Sequence, residues 1–198
     1  LTKITEEVLI MDFNRVLIEA ARDGNIVALK TALEKGADID TVDSLGMTAL
    51  MYADKNGHKQ IADYLREKGA KEDEKFKTTI DYTKAIELDP SDATAYYNRG
   101  NAYDSLDQYQ EAINDYTKAI DLDLKYAAAY YNRGTVYYNL DQHQEAINDY
   151  TKAIELNPKS AIVYYNRGNA YHRLGQYQEA INDYTKAIEL DPEKADVY

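Results

Sequence analysis

The sequence predicts an all-α fold, an α-solenoid in which two helix pairs of one register continue into an array of helix pairs of a second register. Three observations predict it. The string YYNRG begins at Tyr96, Tyr130 and Tyr164, 34 residues apart each time. The string EAINDYTKAI begins at Glu111, Glu145 and Glu179, at the same spacing. Upstream, Ala20, Gly24, Gly36 and Ala37 return 33 residues later as Ala53, Gly57, Gly69 and Ala70. A fixed period of roughly 20–50 residues marks repeated supersecondary units that bury their apolar faces on one another.

The elements follow in order. Residues 1–13 (LTKITEEVLIMDF) carry Ile4, Val8, Leu9 and Phe13 at near-helical spacing, which predicts an extra helix. Residues 14–40 give the first helix pair and residues 43–70 the second. In the second, Asp43 and Gly46 make a turn, and Thr48, Ala49 and Leu50 open a helix. Gly57 and His58 sit between the two helices, and Gly69 ends the pair in a left-handed conformation. Further on, one helix is expected from Ala93 to about Leu106, with Tyr96, Gly100 and Tyr103 on one stripe. Its partner is expected from Tyr109 to Leu122, with Ala112, Ile113, Tyr116, Ala119 and Ile120 inward. Gly100 and Ala112 are expected at a close helix crossing, because glycine inside a helix costs about 1 kcal/mol against alanine and its recurrence needs a packing reason. Pro90 and Pro158 stop the second helices, whereas Leu124 stands at the intermediate place.

The 34-residue motifs resemble the tetratricopeptide (TPR) family over residues 72–198, with Gly100, Tyr103, Ala112, Tyr116, Ala119 and Pro90 matching its signature types. That resemblance implies a right-handed superhelix whose first helices line a concave groove. Two departures stand out. Tyr96, Tyr130 and Tyr164 replace the usual large aromatic, and Arg99, Arg133 and Arg167 replace the usual leucine. The arginines are expected to pair with Asp115, Asp149 and Asp183, or with the aspartate of the preceding unit (Asp81 for Arg99). Residues 43–70 (DSLGMTALMYADKNGHKQIADYLREKGA) resemble an ankyrin repeat, and 14–40 its capping neighbour, with Met51, Ala49 and Asp54 as departures.

The expected division is therefore 1–71, an N-terminal helix with two ankyrin-type repeats, and 72–198, a half repeat, three full repeats and the start of another. No Gly/Ser- or Pro-rich linker separates them. Residues 70–90 supply only a second TPR helix. The last ankyrin helix is expected to stand in for its missing partner and make a rigid junction, with a hinge at residues 71–75 as the alternative. The sequence stops a few residues into another repeat, without the polar cap a solenoid ends on. It reads as a piece of something longer, with head-to-tail self-association through that end as an expectation.

Composition narrows the partners. Net charge is −12. Residues 1–71 hold 10 basic and 12 acidic groups, and residues 72–198 hold 13 and 23. Such a surface repels nucleic acid, whose phosphates need clustered Lys and Arg. A neutral or basic polypeptide suits it. No window approaches a membrane span. The chain holds 0 Cys, which removes disulfides and thiolate chemistry; the location is read as intracellular and cytoplasmic.

On the first TPR helices the 34-residue spacing aligns candidate groove residues in rows. These are Asn98, Asn132 and Asn166; Tyr97, Tyr131 and Tyr165; Asn101, Thr135 and Asn169; and Asp104, Tyr138 and His172. Carboxamides at fixed spacing donate to and accept from a peptide backbone, and tyrosines supply contact area at low entropic cost. The asparagine row resembles that of the O-linked N-acetylglucosamine transferases, whose TPR superhelix holds peptide backbones. The carboxylate clamp of chaperone-binding TPR domains matches less well. Tyr97 and Ile162 stand where two of its cations would be, Asn166 replaces a third, and only Asn101 and Asn132 match. An acidic EEVD-type tail is therefore not the expected ligand.

No catalytic constellation emerges. His58, His143 and His172 are scattered, and no phosphate-binding glycine loop or nucleophile elbow occurs. No cofactor or metal is expected. The reading is a non-enzymatic protein-interaction scaffold. A targeting arm of a larger enzyme, and an engineered or structural repeat scaffold without natural ligand, are the alternatives.

Overall fold

The computed structural model describes residues 12–194, so most of the helix expected over residues 1–13 lies outside the described residues. Among the described residues the fold is all-α. Contacts divide the chain into two units, one ending at Ile80 and the other starting at Asp81.

In the first unit, α1 (Phe13–Asp23) and α2 (Ile26–Glu34) form one hairpin, and α3 (Ala49–Lys55) and α4 (Lys59–Glu67) the next. Side-chain oxygens meet the orphan N–H groups at three of the four starts: Asp12 for α1, Asn25 for α2 and Thr48 for α3. Leu17, Ala21, Leu29, Ala32, Leu50, Ala53, Ile61 and Leu65 are buried between the helices. The turn before α3 is built by one carboxylate. Asp43 Oδ1 accepts from the N–H groups of Leu45 (2.9 Å) and Met47 (3.0 Å), and Oδ2 accepts from the Tyr52 hydroxyl (2.7 Å). Burial opposes the Asp43 charge, but the Tyr52 bond and the two backbone donors outweigh it, and its pKa falls below the usual carboxylate value.

The two hairpins are tied at their inner turns. Asn56 Nδ2 donates to the Arg22 carbonyl (2.8 Å), and His58 Nε2 lies 3.1 Å from the same oxygen. The His58 ring needs Gly24. That residue has φ +78°, and a Cβ there would stand 2.8 Å from the imidazole. The Asp54 departure also finds a reason, since Arg66 Nη2 donates to both its oxygens at 3.0 and 2.8 Å. Residues following α4 stay attached to this unit: Arg66 pairs with Glu72, and the Lys71 N–H donates to Asp40 Oδ1 (2.9 Å). Asp73 then accepts from the N–H groups of Lys75 and Phe76 at the start of α5 (Glu74–Leu88).

Among its described residues the second unit contains three helix pairs: α6 (Ala93–Asp104) with α7 (Tyr109–Leu122), α8 (Ala127–Asn139) with α9 (His143–Leu156), and α10 (Ala161–Arg173) with α11 (Tyr177–Leu190). Two buried clusters run through them. One holds Ala119, Ile120, Ala129, Tyr130, Ile147, Tyr150 and Val163, the other Ala112, Ile113, Tyr116 and Val136. The close approach expected at Gly100 exists, and a tyrosine ring fills it. A Cβ on Gly100 would stand 2.8 Å from the Tyr116 ring, and one on Gly168 2.8 Å from the Tyr184 ring. The glycine thus makes room for a tyrosine of the second helix, and Ala112 is not among the atoms nearest it.

The arginines that replace leucine choose the aspartate of their own unit. Arg99 donates from Nε and Nη2 to both oxygens of Asp115 (2.7 and 2.8 Å). Arg133 does the same to Asp149, and Arg167 to Asp183. The third nitrogen, Nη1, reaches the preceding pair: Thr83 (3.1 Å), Thr117 (2.8 Å) and Thr151 (3.0 Å) respectively. Two tyrosine rings flank each guanidinium, Tyr96 and Tyr103 at 5.6 and 5.8 Å in the first case. The Asp115 bond raises the pKa of Arg99; burial opposes the charge of Arg133 and Arg167, but the bond to and the charge of the paired aspartate together outweigh it and their pKa values rise as well. One planar, five-donor group thereby joins its own two helices and the helix before them.

Candidate functional site

The first helices α6, α8 and α10 carry every residue expected in the groove, and the structure shows how those side chains relate. Tyr97, Asn98, Asn101, Tyr131, Asn132, Thr135, Tyr138, Tyr165, Asn166 and Asn169 are half-buried, and His172 is exposed. Several engage one another across successive pairs. Asn132 Nδ2 donates to Asn101 Oδ1 (2.7 Å) and to the Tyr97 hydroxyl oxygen (3.1 Å). One repeat on, Asn166 Nδ2 donates to the Tyr131 hydroxyl (3.0 Å). Arg173 Nε donates to the Tyr138 hydroxyl (3.3 Å), and the His172 ring meets Tyr177 edge-on at 5.5 Å.

A second set of hydroxyls enters from behind. Tyr116 donates to Asn101 Oδ1 (2.8 Å), Tyr150 to Thr135 Oγ1 (3.2 Å) and Tyr184 to Asn169 Oδ1 (2.8 Å). These tyrosines lie on the second helices and read as core by spacing. Tyr116 and Tyr150 are fully buried and Tyr184 is half-buried, and each hydroxyl reaches a side chain of the row from behind. Burial holds the Tyr116 and Tyr150 phenols well above the usual value, so they stay protonated donors. Burial, reinforced by nearby Asp107, also pushes the Asp104 carboxyl up.

The ladder leaves polar atoms over. Asn132 and Asn166 spend their amide N–H groups inward, and their Oδ1 atoms are unengaged among the described residues; Asn98 makes no side-chain hydrogen bond there. Oriented carbonyl acceptors on two successive first helices, α8 and α10, can take N–H donors from an extended chain.

Beside this row is an open cavity of about 310 Å3, lined by Ala127, Ala128, Tyr131, Asn157, Ser160 and Ile162 among others. The repeated strings carry no direct sign of it. The available signal is a break in the period, since Ser160 falls where the previous unit has Tyr126. Among the described residues no group of three His, Cys, Asp or Glu could hold a metal ion, and no helix is long and apolar enough to cross a membrane.

Helix pairs stacked at two fixed periods define an α-solenoid repeat protein. The model for ankyrin repeats (many copies) matches residues 17–66, that for the tetratricopeptide repeat matches 93–126 and 161–194, and that for the TPR repeat matches 136–175. The chain thus joins an ankyrin-repeat segment to tetratricopeptide repeats. Ankyrin repeat domain-containing protein 39 of Homo sapiens is 43% identical over 61 residues, which is 31% of this chain and 33% of that protein. The Bos taurus protein of the same name is 44% identical over 48 residues, 24% of this chain and 26% of that one. The chain therefore spans about a third or less of the curated relatives it matches.

Among solved structures, the Arabidopsis OM64 TPR domain is 34% identical with a TM-score of 0.51, covering 53% of this chain and 88% of that one. The first TPR of Spaghetti (RPAP3) bound to HSP90 peptide SRMEEVD is 34% identical with a TM-score of 0.50, covering 50% and 79%. MamA is 28% identical with a TM-score of 0.57, covering 93% and 96%.

Proposed function

We propose that this protein is a binding scaffold that holds an extended, neutral or basic polypeptide along the first helices of its TPR unit. The observation that carries the reading is the asparagine row. Asn98, Asn132 and Asn166 recur at one period, and Asn132 and Asn166 are oriented by bonds from their nitrogens that leave the carbonyl oxygens available. The excess of acidic groups over residues 72–198 supports a cationic or neutral partner. A TPR neighbour holding a peptide lends general support to a peptide ligand. The clamp pattern argues for a different peptide from that one, because Tyr97, Ile162 and Asn166 put no cation where an acidic tail would need one.

The test is fluorescence anisotropy with labelled seven-residue peptides, one lysine-bearing and one of sequence SRMEEVD. The lysine-bearing peptide is expected to bind and the acidic one not. The Asn132→Ala, Asn166→Ala double variant should lose about thirtyfold in affinity, since two hydrogen bonds of roughly 1 kcal/mol each are removed. Unchanged binding by the double variant would dismiss the row as the site.

A second reading rests on one asymmetry. Ile113 and Ile147 are 7% and 4% exposed, whereas Ile181, their counterpart on α11, is 56% exposed. We infer that this face takes another copy of the chain head to tail. Light scattering over a wide concentration range should show growing mass, and a constant monomer mass would eliminate it.

A further inference from the structure

The cavity beside Tyr131 has a counterpart one repeat earlier, and there the chain itself supplies the occupant. Subtracting 34 from its lining residues converts Tyr131 to Tyr97, Ala128 to Thr94, Asn157 to Asp123 and Ser160 to Tyr126. In that earlier place the Tyr126 ring packs on Tyr97, with centroids 4.9 Å apart and planes at 35°. It is half-buried against the cluster containing Ala119 and Ala129. In the later place Ser160 has no ring to offer, Ala128 is smaller than Thr94, and a space of about 310 Å3 stands open next to Tyr131. A dry cavity of about 150 Å3 accepts benzene, so a phenol with its Cβ fits this one. Tilted aromatic pairs at such separations gain attraction beyond burial alone.

We propose that the cavity is a subsite for one aromatic side chain, tyrosine or phenylalanine, of a bound polypeptide, which stacks on Tyr131 as Tyr126 stacks on Tyr97. The proposal rests on the peptide-binding reading above and adds the identity of one ligand residue. Asn157 stands where both preceding units have aspartate (Asp89 and Asp123), so no carboxylate lines the space, and a ring can enter without stripping water from a charge. Asn157 and Ser160 at its rim can meet a phenolic hydroxyl. The acidic surplus of residues 72–198 favours basic residues on either side of that aromatic.

Two probes separate this subsite from the groove. The first is N-acetyltyrosinamide, followed through the methyl NMR signals of Ala127, Ala128 and Ile162. A dissociation constant on the order of 1 mM is expected from a ligand of this size. Ser160→Tyr should abolish the shifts by filling the space from within. Tyr126→Ser should create a second set, at Ala93 and Thr94, by opening the counterpart beside Tyr97. Because these two variants act in opposite directions, misfolding of either leaves the other as a test. Absence of shifts in the unmodified protein, or shifts that persist in folded Ser160→Tyr, would overturn the subsite.

The second probe is a lysine-flanked nonapeptide with Tyr or Ala at its centre. Tyr should bind about tenfold tighter than Ala, and Ser160→Tyr should erase that difference. Equal binding of the two peptides overturns the subsite and leaves the groove standing. If neither peptide binds while N-acetyltyrosinamide still does, the groove fails and the subsite survives.

Discussion

Arg133 and Asp149 show what one side-chain pair contributes here. Their side chains are 16% and 8% exposed, and the guanidinium satisfies both carboxylate oxygens and one threonine. Removing only the arginine leaves a buried carboxylate without its cation. Arg133→Leu is therefore expected to cost about 3–5 kcal/mol in urea unfolding. Replacing both partners by apolar residues should recover most of that loss, because a buried pair contributes register more than net stability. A double-mutant cycle reads both numbers. Gly100→Ala belongs to the same scale. Its methyl would meet the fully buried Tyr116 ring at 2.8 Å. Overpacking costs about 1–3 kcal/mol, which exceeds the helix propensity gain of about 1 kcal/mol, so net destabilisation is expected.

Asp43 gives a pH prediction. Its carboxylate is favoured in the folded state, so its folded pKa lies below the unfolded value. It contributes stability above the unfolded pKa, and that contribution is lost as pH falls through the folded one. Asp43→Asn should flatten the acid side of the stability profile of the ankyrin unit. These residue-level partners were only partly legible in the sequence. Spacing offered Arg99 either Asp115 or Asp81, and the geometry of facing helices decides between them. Spacing placed Tyr116 in the core correctly, but where a hydroxyl ends six bonds from the backbone is a matter of packing.

At the scale of elements, legibility was high because each helix is written three times. The second helix was expected from Tyr109 to Leu122 and occupies those residues, and the first starts at Ala93 as expected and ends at Asp104. The turns between them hold a detail that the repeated strings conceal. Asp107 and Asp141 have φ of 57° and 58°, where the third repeat has Gly175 at 73°. Left-handed backbone costs an L-residue roughly 1–2 kcal/mol. Asp141→Gly should relieve part of that strain and raise the melting temperature by a few degrees. The segment after α4 is also testable. Lys71 and Glu72 are fastened to Asp40 and Arg66, so trypsin should cut at Lys71 slowly, and Asp40→Ala should speed that cut.

For the whole molecule, the dominant quantity is the net charge of −12. A basic ligand of the proposed kind would be drawn in through long-range attraction that salt screens. Raising NaCl from about 20 to about 200 mM shortens the screening length from roughly 20 to 7 Å. Stopped-flow association of a lysine-bearing peptide should slow several-fold over that range, and that of an uncharged peptide should hardly change.

The threonine, arginine and aspartate that bolt each pair to its predecessor have an evolutionary consequence. Because the joint is the same at each step, excising residues 127–160 would bring Arg167 to Thr117 in place of Thr151, and the seam would close unaltered. Duplication would splice as cleanly. Unequal recombination within this stretch of gene can lengthen or shorten the array by whole modules without redesigning a seam, while Tyr126 and Ser160 decide which module presents an open socket.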